Sequence, residues 1–226
     1  DIVCFQEYAL DMPCVERVDS LFNAYHGKVY CRDVVETGDV VLRTYSRYPI
    51  IASGAISGEG RGTSQWVDIV IKNDTLRIFN NHLYTMNISS EDSSDIEQGR
   101  ILQDGERMRS IVDRIAKNSS VRADFVDTLS MVIDNTPYRR VICGDFNDTP
   151  MSYVYGELAK GYVDAFEECG RGYGYTFRPM YGTLRIDYIL HSPELETESY
   201  VAGDDVLLSD HLPISARIKI LPRGAK

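Results

Sequence analysis

At 226 residues, with 43% hydrophobic and 26% charged side chains, the chain has the length of one large domain and the composition of an ordinary globular protein. No apolar run approaches the roughly 18 residues of a membrane span, and the start lacks the basic, apolar, small-residue order of a signal peptide. The 24 basic and 34 acidic side chains leave a net charge of −10, which argues against broad attraction to a nucleic-acid backbone but not against a local groove or a cation at a phosphate site.

In chain order, residues 1–6 read as a short buried strand, with Ile2, Val3, Cys4 and Phe5 in one apolar run. Residues 12–25 follow as a helix carrying Val15, Val18, Leu21 and Phe22 at helical spacing. Strand-like runs come next at 28–31, 40–44 and 50–56, before a turn marked by Gly58, Gly60 and Gly62. The stronger strands 65–71 and 76–83 are joined by Asn73-Asp74, which predicts an antiparallel hairpin. Residues 87–104 are polar and predict an exposed loop.

Two helices are expected at 106–117 and 121–133, then a strand at 140–143, a short helix at 152–158 and strands at 174–177, 185–190, 198–201 and 212–220. No repeat, low-complexity tract or linker divides the chain, so residues 1–226 are expected to form a single domain. Many strands with helices in two places predict an α/β (α+β) sandwich of two mixed, mostly antiparallel sheets with helices outside. The five cysteines, Cys4, Cys14, Cys31, Cys143 and Cys169, are odd in number and form no CxxC, so buried free thiols are expected rather than a disulfide framework or zinc cluster.

Singly, the acidic residues carry no information; their places do. Glu7, His82, Asp145, Asn147, Asp187, Asp210 and His211 fall in short strands or just beyond them, where loops gather into a rim and dispersed polar groups can meet. Carboxylates and imidazoles meeting there suit a hard metal ion and acid–base chemistry. Asp145 and Asn147 are two apart, hence on one face of an extended segment. Asp148 reads as a turn or capping residue, and His26 and His191 as structural.

These residues sit in motifs that resemble those of the endonuclease/exonuclease/phosphatase superfamily, the deoxyribonuclease-I-like enzymes. They are Phe5-Gln6-Glu7, Asn81-His82-Leu83, Gly144-Asp145-Phe146-Asn147, Arg185-Ile186-Asp187-Tyr188 and Ser209-Asp210-His211-Leu212-Pro213, with Ser46-Arg47-Tyr48-Pro49-Ile50 as a softer match. The resemblance implies a four-layer sandwich and a phosphoesterase that uses Mg²⁺ or Mn²⁺. By the same resemblance Glu7 is the principal metal ligand with Asp210 as a second acid. His211 and Asp187 form an acid–base pair, Asp145 accepts a proton from water, and His82 and Asn147 stabilise the phosphoryl group. Arg185 and Tyr84 are candidates for substrate contact. The family also places an Asn-bearing strand ahead of the Gln-Glu motif, so an N-terminal strand is expected to be missing from residues 1–226.

The partner implied is a phosphate-ester substrate, whether small molecule, lipid or nucleic acid; no protein partner is evident. The acidic balance lowers duplex DNA relative to small or lipid esters. The alternatives are a non-catalytic or weakly active member of the same fold that serves as a binding module, and a nuclease that acts on DNA or RNA. Localisation stays unknown: a soluble domain, cytoplasmic unless an upstream segment anchors or exports it.

Overall fold

The computed structural model describes residues 1–100, 104–203 and 208–222. Its centre is a sheet of β4 (Ile50–Ser57), β5 (Gly62–Ile71), β6 (Asp74–Leu83), β7 (Arg139–Asp145), β8 (Val163–Asp164) and β9 (Asp187–His191), in the order β4-β5-β6-β7-β9-β8. Side chains alternate across a strand, so neighbouring apolar residues serve different faces. Phe79, Ile142 and Leu190 join Phe125, Leu129, Ile133 and Phe146 in one cluster. Ile78, Val141 and Ile189 join Ile2, Cys4, Ile218 and Ile220 in another. A sheet that is apolar on both faces must be covered on both.

One cover is helical: α3 (Gly105–Asp134) and α4 (Tyr153–Ala159). The other is made of β1 (Ile2–Ala9), β2 (Tyr30–Thr37) and β3 (Val40–Ser46), ordered β1-β3-β2, together with the pair β10 (Leu195–Ala202) and β11 (Ile214–Ile220). On the far side of β3 lies α1 (Val15–His26), whose Phe22 stacks on Tyr45 at 4.4 Å while Arg43 bridges Asp19 and Asp33. The result is helix, sheet, sheet, helix, and the pairings are antiparallel except for β6 with β7. Parallel neighbours need a crossover, which α2 (Ser90–Glu97) and α3 supply. Short α5 (Ala165–Cys169) and α6 (Pro179–Gly182) lie in the connection to β9.

Four sequence expectations are corrected. The helices expected at 106–117 and 121–133 are one continuous α3, because the segment that joins them packs inward: Asn118 donates to the Met86 carbonyl at 3.1 Å, and Arg122 at the start of the second stretch is fully buried. The loop expected at 87–104 contains α2, closed by a capping box between Ser89 and Asp92. Its acids look solvated in sequence, yet Asp92 and Asp95 are buried against Arg107, with Arg114 on Asp92 and Arg100 on Asp95. Residues 174–177 form isolated bridges from Phe177 to Leu184 and His211 rather than a strand. β1 is half-buried along most of its length, not fully buried.

The cysteines are all free, as expected, but Cys14 is exposed and the others are partly buried. Burial, then the charge of Asp33, pushes the Cys31 thiol up to about 12. At pH 8, iodoacetamide is therefore expected to label Cys14 and to spare Cys31 in the folded protein. Equal labelling rates by peptide mass spectrometry would contradict this placement. Among the described residues no helix is long and apolar enough to cross a membrane.

Candidate active site

Three adjacent strands carry the site at one level. His82 on β6 stands in register with Asp145 on β7, and Asp145 with Asp187 on β9. Two carboxylates and an imidazole are thus neighbours through backbone pairing alone.

The fourth strand to contribute is β1, through an irregularity. Its register with β3 shifts between Phe5 and Tyr8, and Glu7 within that bulge has φ 51°. A left-handed glutamate is uncommon and costs of order 1–3 kcal/mol, and bulges beside active sites re-aim side chains. Here the Glu7 N–H donates to Glu36 Oε2 at 3.2 Å, and the Glu7 carboxylate, 74% exposed, reaches to 3.6 Å from His82 Nε2. The preceding Gln6 donates to Asn80 on β6 at 2.6 Å and so ties the two sheets beneath the site.

Two histidines face each other across Asp145. His82 Nδ1 lies 2.6 Å from Glu36 Oε1, and His211 Nδ1 lies 2.9 Å from Asp187 Oδ2. A carboxylate on Nδ1 leaves Nε2 to the cleft. The two Nε2 atoms stand 3.9 Å and 4.0 Å from the same Asp145 Oδ2. Phe177 packs edge-on to the His211 ring at 5.1 Å, and Thr176 Oγ1 accepts from the Asp187 N–H at 3.1 Å.

Asp145 is held by the turn that follows it. Its Oδ1 accepts from the Asn147 N–H at 2.7 Å, an Asx turn, and its Oδ2 accepts from Asn147 Nδ2 at 2.8 Å. Asn147 has φ 51°, a conformation its short polar side chain tolerates. The amide also donates to the Leu83 carbonyl at 3.0 Å. Both amide hydrogens are therefore engaged within the fold, one on Asp145 and one on the Leu83 carbonyl.

Asp148 is more than a turn residue. It accepts from the Thr149 N–H at 3.1 Å, and its other oxygen takes Arg122 Nη2 at 2.9 Å and Ser119 at 3.0 Å. Arg122 Nη1 donates to the Tyr84 carbonyl at 2.9 Å, which clamps the ends of β6 and β7 together.

The electrostatics follow from burial and crowding. Burial raises Asp145 to about 7, with Asp187 adding to the rise and the two histidines opposing it. For His211 burial disfavours the charge, but Asp187, then Asp145 and Asp210, outweigh it and hold the imidazole up to about 9. His82 is likewise raised, Glu36 foremost, against its burial. A raised histidine stabilises the fold fully below its unfolded value near 6.5; that contribution is lost as pH rises through about 9. Asp145 has the same sense at lower pH: its raised pKa means that the stability present below its ordinary value of 3.8 is lost as pH rises through about 7.

Of the nine residues singled out from sequence, His82, Asp145, Asn147, Asp187 and His211 come together, with Glu7 at the mouth. Asp210 is exposed beside His211, and its carbonyl accepts from the Arg178 N–H at 2.8 Å. Arg185 is turned elsewhere: its guanidinium is buried on Asp164 at 2.5 Å and packed on Phe166, Tyr188 and Tyr155. Tyr84 is half-buried, and its backbone N–H donates to the Arg61 carbonyl at 3.2 Å. His191 is structural, fully buried on Thr197 at 2.8 Å.

Glu36 escaped the sequence reading because the strand expected at 28–31 runs on to Thr37. A glutamate before Thr37-Gly38-Asp39 reads as a solvated turn acid. Nothing in the local sequence signals that a second sheet will lower His82 onto it.

Asp145, Asp187 and His211 offer ligand atoms all within 4.8 Å of one another. Hard oxygen donors suit a divalent cation. The mutual repulsion that raises Asp145 is a cost such a cation would remove.

The sequence pattern of the Endonuclease/Exonuclease/phosphatase family matches residues 1–211. No curated protein sequence matches the chain. Among solved structures, a Bacteroides thetaiotaomicron mannosyl-6-phosphatase superposes with a TM-score of 0.65 at 16% identity, over 97% of this chain and 85% of its own. The human nocturnin catalytic domain gives 0.61 at 17% identity, over 97% and 80%. D. rerio TDP2, humanised by 14 mutations, gives 0.63 at 15% identity, over 97% and 84%. At these identities the structures establish a common fold, and the family match adds descent: the chain belongs to the endonuclease/exonuclease/phosphatase family, a superfamily of phosphoesterases and nucleases that generally use divalent metal ions.

Proposed function

We propose that the chain, acting as a single domain, hydrolyses a phosphate ester by in-line attack of water and is assisted by Mg²⁺ or Mn²⁺. The observation that carries this reading is the convergence of two carboxylate-anchored imidazoles on Asp145 Oδ2. A cation bound here would polarise a phosphoryl oxygen; Glu7 at the mouth, the Asp145–Asp187 pair below and Asp210 alongside are the oxygen donors that suit it.

The remaining roles fall to the chain's own side chains. Asp187 fixes the His211 ring and favours its cationic form, so Nε2 can carry a proton beside the phosphorus centre. Glu36 does the same for His82, whose Nε2 can donate to a developing negative charge or to the leaving oxygen. Asp145, near neutral pH in its affinity for protons, is placed to take one from water.

Metal removal tests the reading. Chelator is expected to abolish turnover, Mg²⁺ or Mn²⁺ to restore it, and Glu7→Gln to raise the metal concentration required by roughly tenfold or more, a loss of ~1.4 kcal/mol in binding. The ion competes with the proton on Asp145, so the rise in melting temperature it confers should be larger at pH 8 than at pH 5.5. Full activity in excess chelator, or a thermal shift that ignores pH, would contradict the proposal.

A further inference from the structure

We propose that Cys4 and Cys143 form a modification site: a peroxide joins their thiols in a reversible disulfide that ties β1 to β7 and lowers the activity of the cleft. For its effect on activity the inference rests on the hydrolase reading, and it names a regulation of that site. Position carries it. Cys4 lies on β1 ahead of Glu7, and Cys143 on β7 ahead of Asp145. The two strands belong to different sheets, and their Cα atoms approach within 8 Å. Asn80 marks the level: it stands in register with Cys143, and its amide donates to the Phe5 carbonyl at 3.1 Å and to Thr44 Oγ1 at 3.3 Å. Thr44 is in turn the register partner of Cys4, with its hydroxyl 3.8 Å from the Cys4 sulfur. The two thiols meet there in hydrogen-bond contact.

The remaining cysteines are placed differently. Cys31 rests on Asp33, Cys169 on the Thr197 carbonyl, and Cys14 is exposed. Cys4 and Cys143 pack against one apolar cluster between the sheets, yet both are only partly buried. A small neutral oxidant can therefore reach them, while a bulky disulfide reagent is held off by the packed strands.

The chemistry balances with hydrogen peroxide as the oxidant. One sulfur attacks a peroxide oxygen, the O–O bond breaks, and a sulfenic acid and one water result. The second sulfur displaces the sulfenic oxygen, which leaves as another water, and the S–S bond forms. Both thiol protons end in the waters, and the two electrons lost by the sulfurs reduce the peroxide. Bond formation draws the sulfurs from contact to covalent distance and β1 towards β7. Glu7 stands in the bulge just beyond Cys4, and Asp145 ends the strand of Cys143. The carboxylate at the mouth thus shifts against the one below it, and a misplacement of about 1 Å at a reacting group can cost about 10²-fold in rate.

The experiment treats the folded protein with a few equivalents of hydrogen peroxide, alkylates the remaining thiols after unfolding and maps the peptides by mass spectrometry. The expected product is a Cys4–Cys143 cross-linked peptide that dithiothreitol cleaves, with Cys31 and Cys169 recovered alkylated. Turnover of p-nitrophenyl phosphate and bis(p-nitrophenyl) phosphate with Mg²⁺ is followed on the same samples. Oxidation is expected to lower kcat/KM by at least roughly tenfold, and dithiothreitol to restore it. Cys4→Ala, and Cys4→Ser as a second removal of the thiol, should keep the activity of the reduced protein and lose the response to peroxide. Recovery of both cysteines as thiols or as sulfinic acids, pairing with Cys31 or Cys169 instead, or a cross-linked protein of undiminished activity overturns the inference. Turnover of neither ester by the reduced protein overturns the hydrolase reading instead, and the peptide map still decides the pair.

Discussion

Alanine at His211 or at Asp187 is expected to lower kcat/KM by about 10²- to 10⁴-fold, the range of a positioned acid–base group, with the double variant little worse than the harsher single one. The coupling follows from geometry. Asp187 touches the ring at Nδ1, 2.9 Å away, and the working face is Nε2, turned to Asp145. Without the carboxylate the ring loses its fixed orientation and the main support for its charge. Once that is gone, removing the ring removes little more, which is the mark of two residues acting as one unit.

The pH dependence separates this from a merely structural role. In the metal-free protein the His211 titration followed by NMR should fall near 9 and move down in Asp187→Asn. Multiplicative losses in the double variant, or an unmoved titration, would show that the two residues work independently.

Gly144→Ala is expected to destabilise the protein by at least ~3 kcal/mol and to abolish activity with it. Gly144 has φ 123°, a conformation open to glycine and strained for any residue with a Cβ. An added Cβ would stand 2.8 Å from the Asn81 backbone nitrogen and closer still to the Asn81 carbonyl oxygen. The clash is with backbone that cannot swing aside, between β6 and β7 one residue short of the level where His82 meets Asp145. Strain and displacement therefore fall on the site together. Gly161→Ala is the control, since φ is 81° there but the Cβ meets nothing within 4 Å; it should cost only ~1–2 kcal/mol, the backbone term alone. Urea unfolding of the two variants measures the difference, and equal losses would remove the contact argument.

The glycine that reads as half of a short motif is thus a packing requirement, and this shows how far sequence reaches in this protein. Alternating apolar residues such as Ile78-Phe79 and Val141-Ile142 announce a sheet covered on both faces, because the period of two assigns each neighbour to its own side. Chemistry-bearing residues at strand ends were legible for the same reason: a strand ends where its pattern does. His82, Asp145 and Asp187 stand in that register, and His211 joins them.

Tertiary structure alone decided the rest. The inward-facing Asn118 falls where the sequence reads as a helix break, until the Met86 carbonyl is present to receive it. The acids of α2 look like a solvated loop until the arginines of α3 neutralise them. Arg185 belongs to a motif, yet its partner is Asp164, 21 residues away. Glu36 completes the His82 pair across 46 residues. In each case a polar side chain has one meaning in water and another once burial obliges it to find a partner, and the partner lies too far along the chain for any local pattern to record.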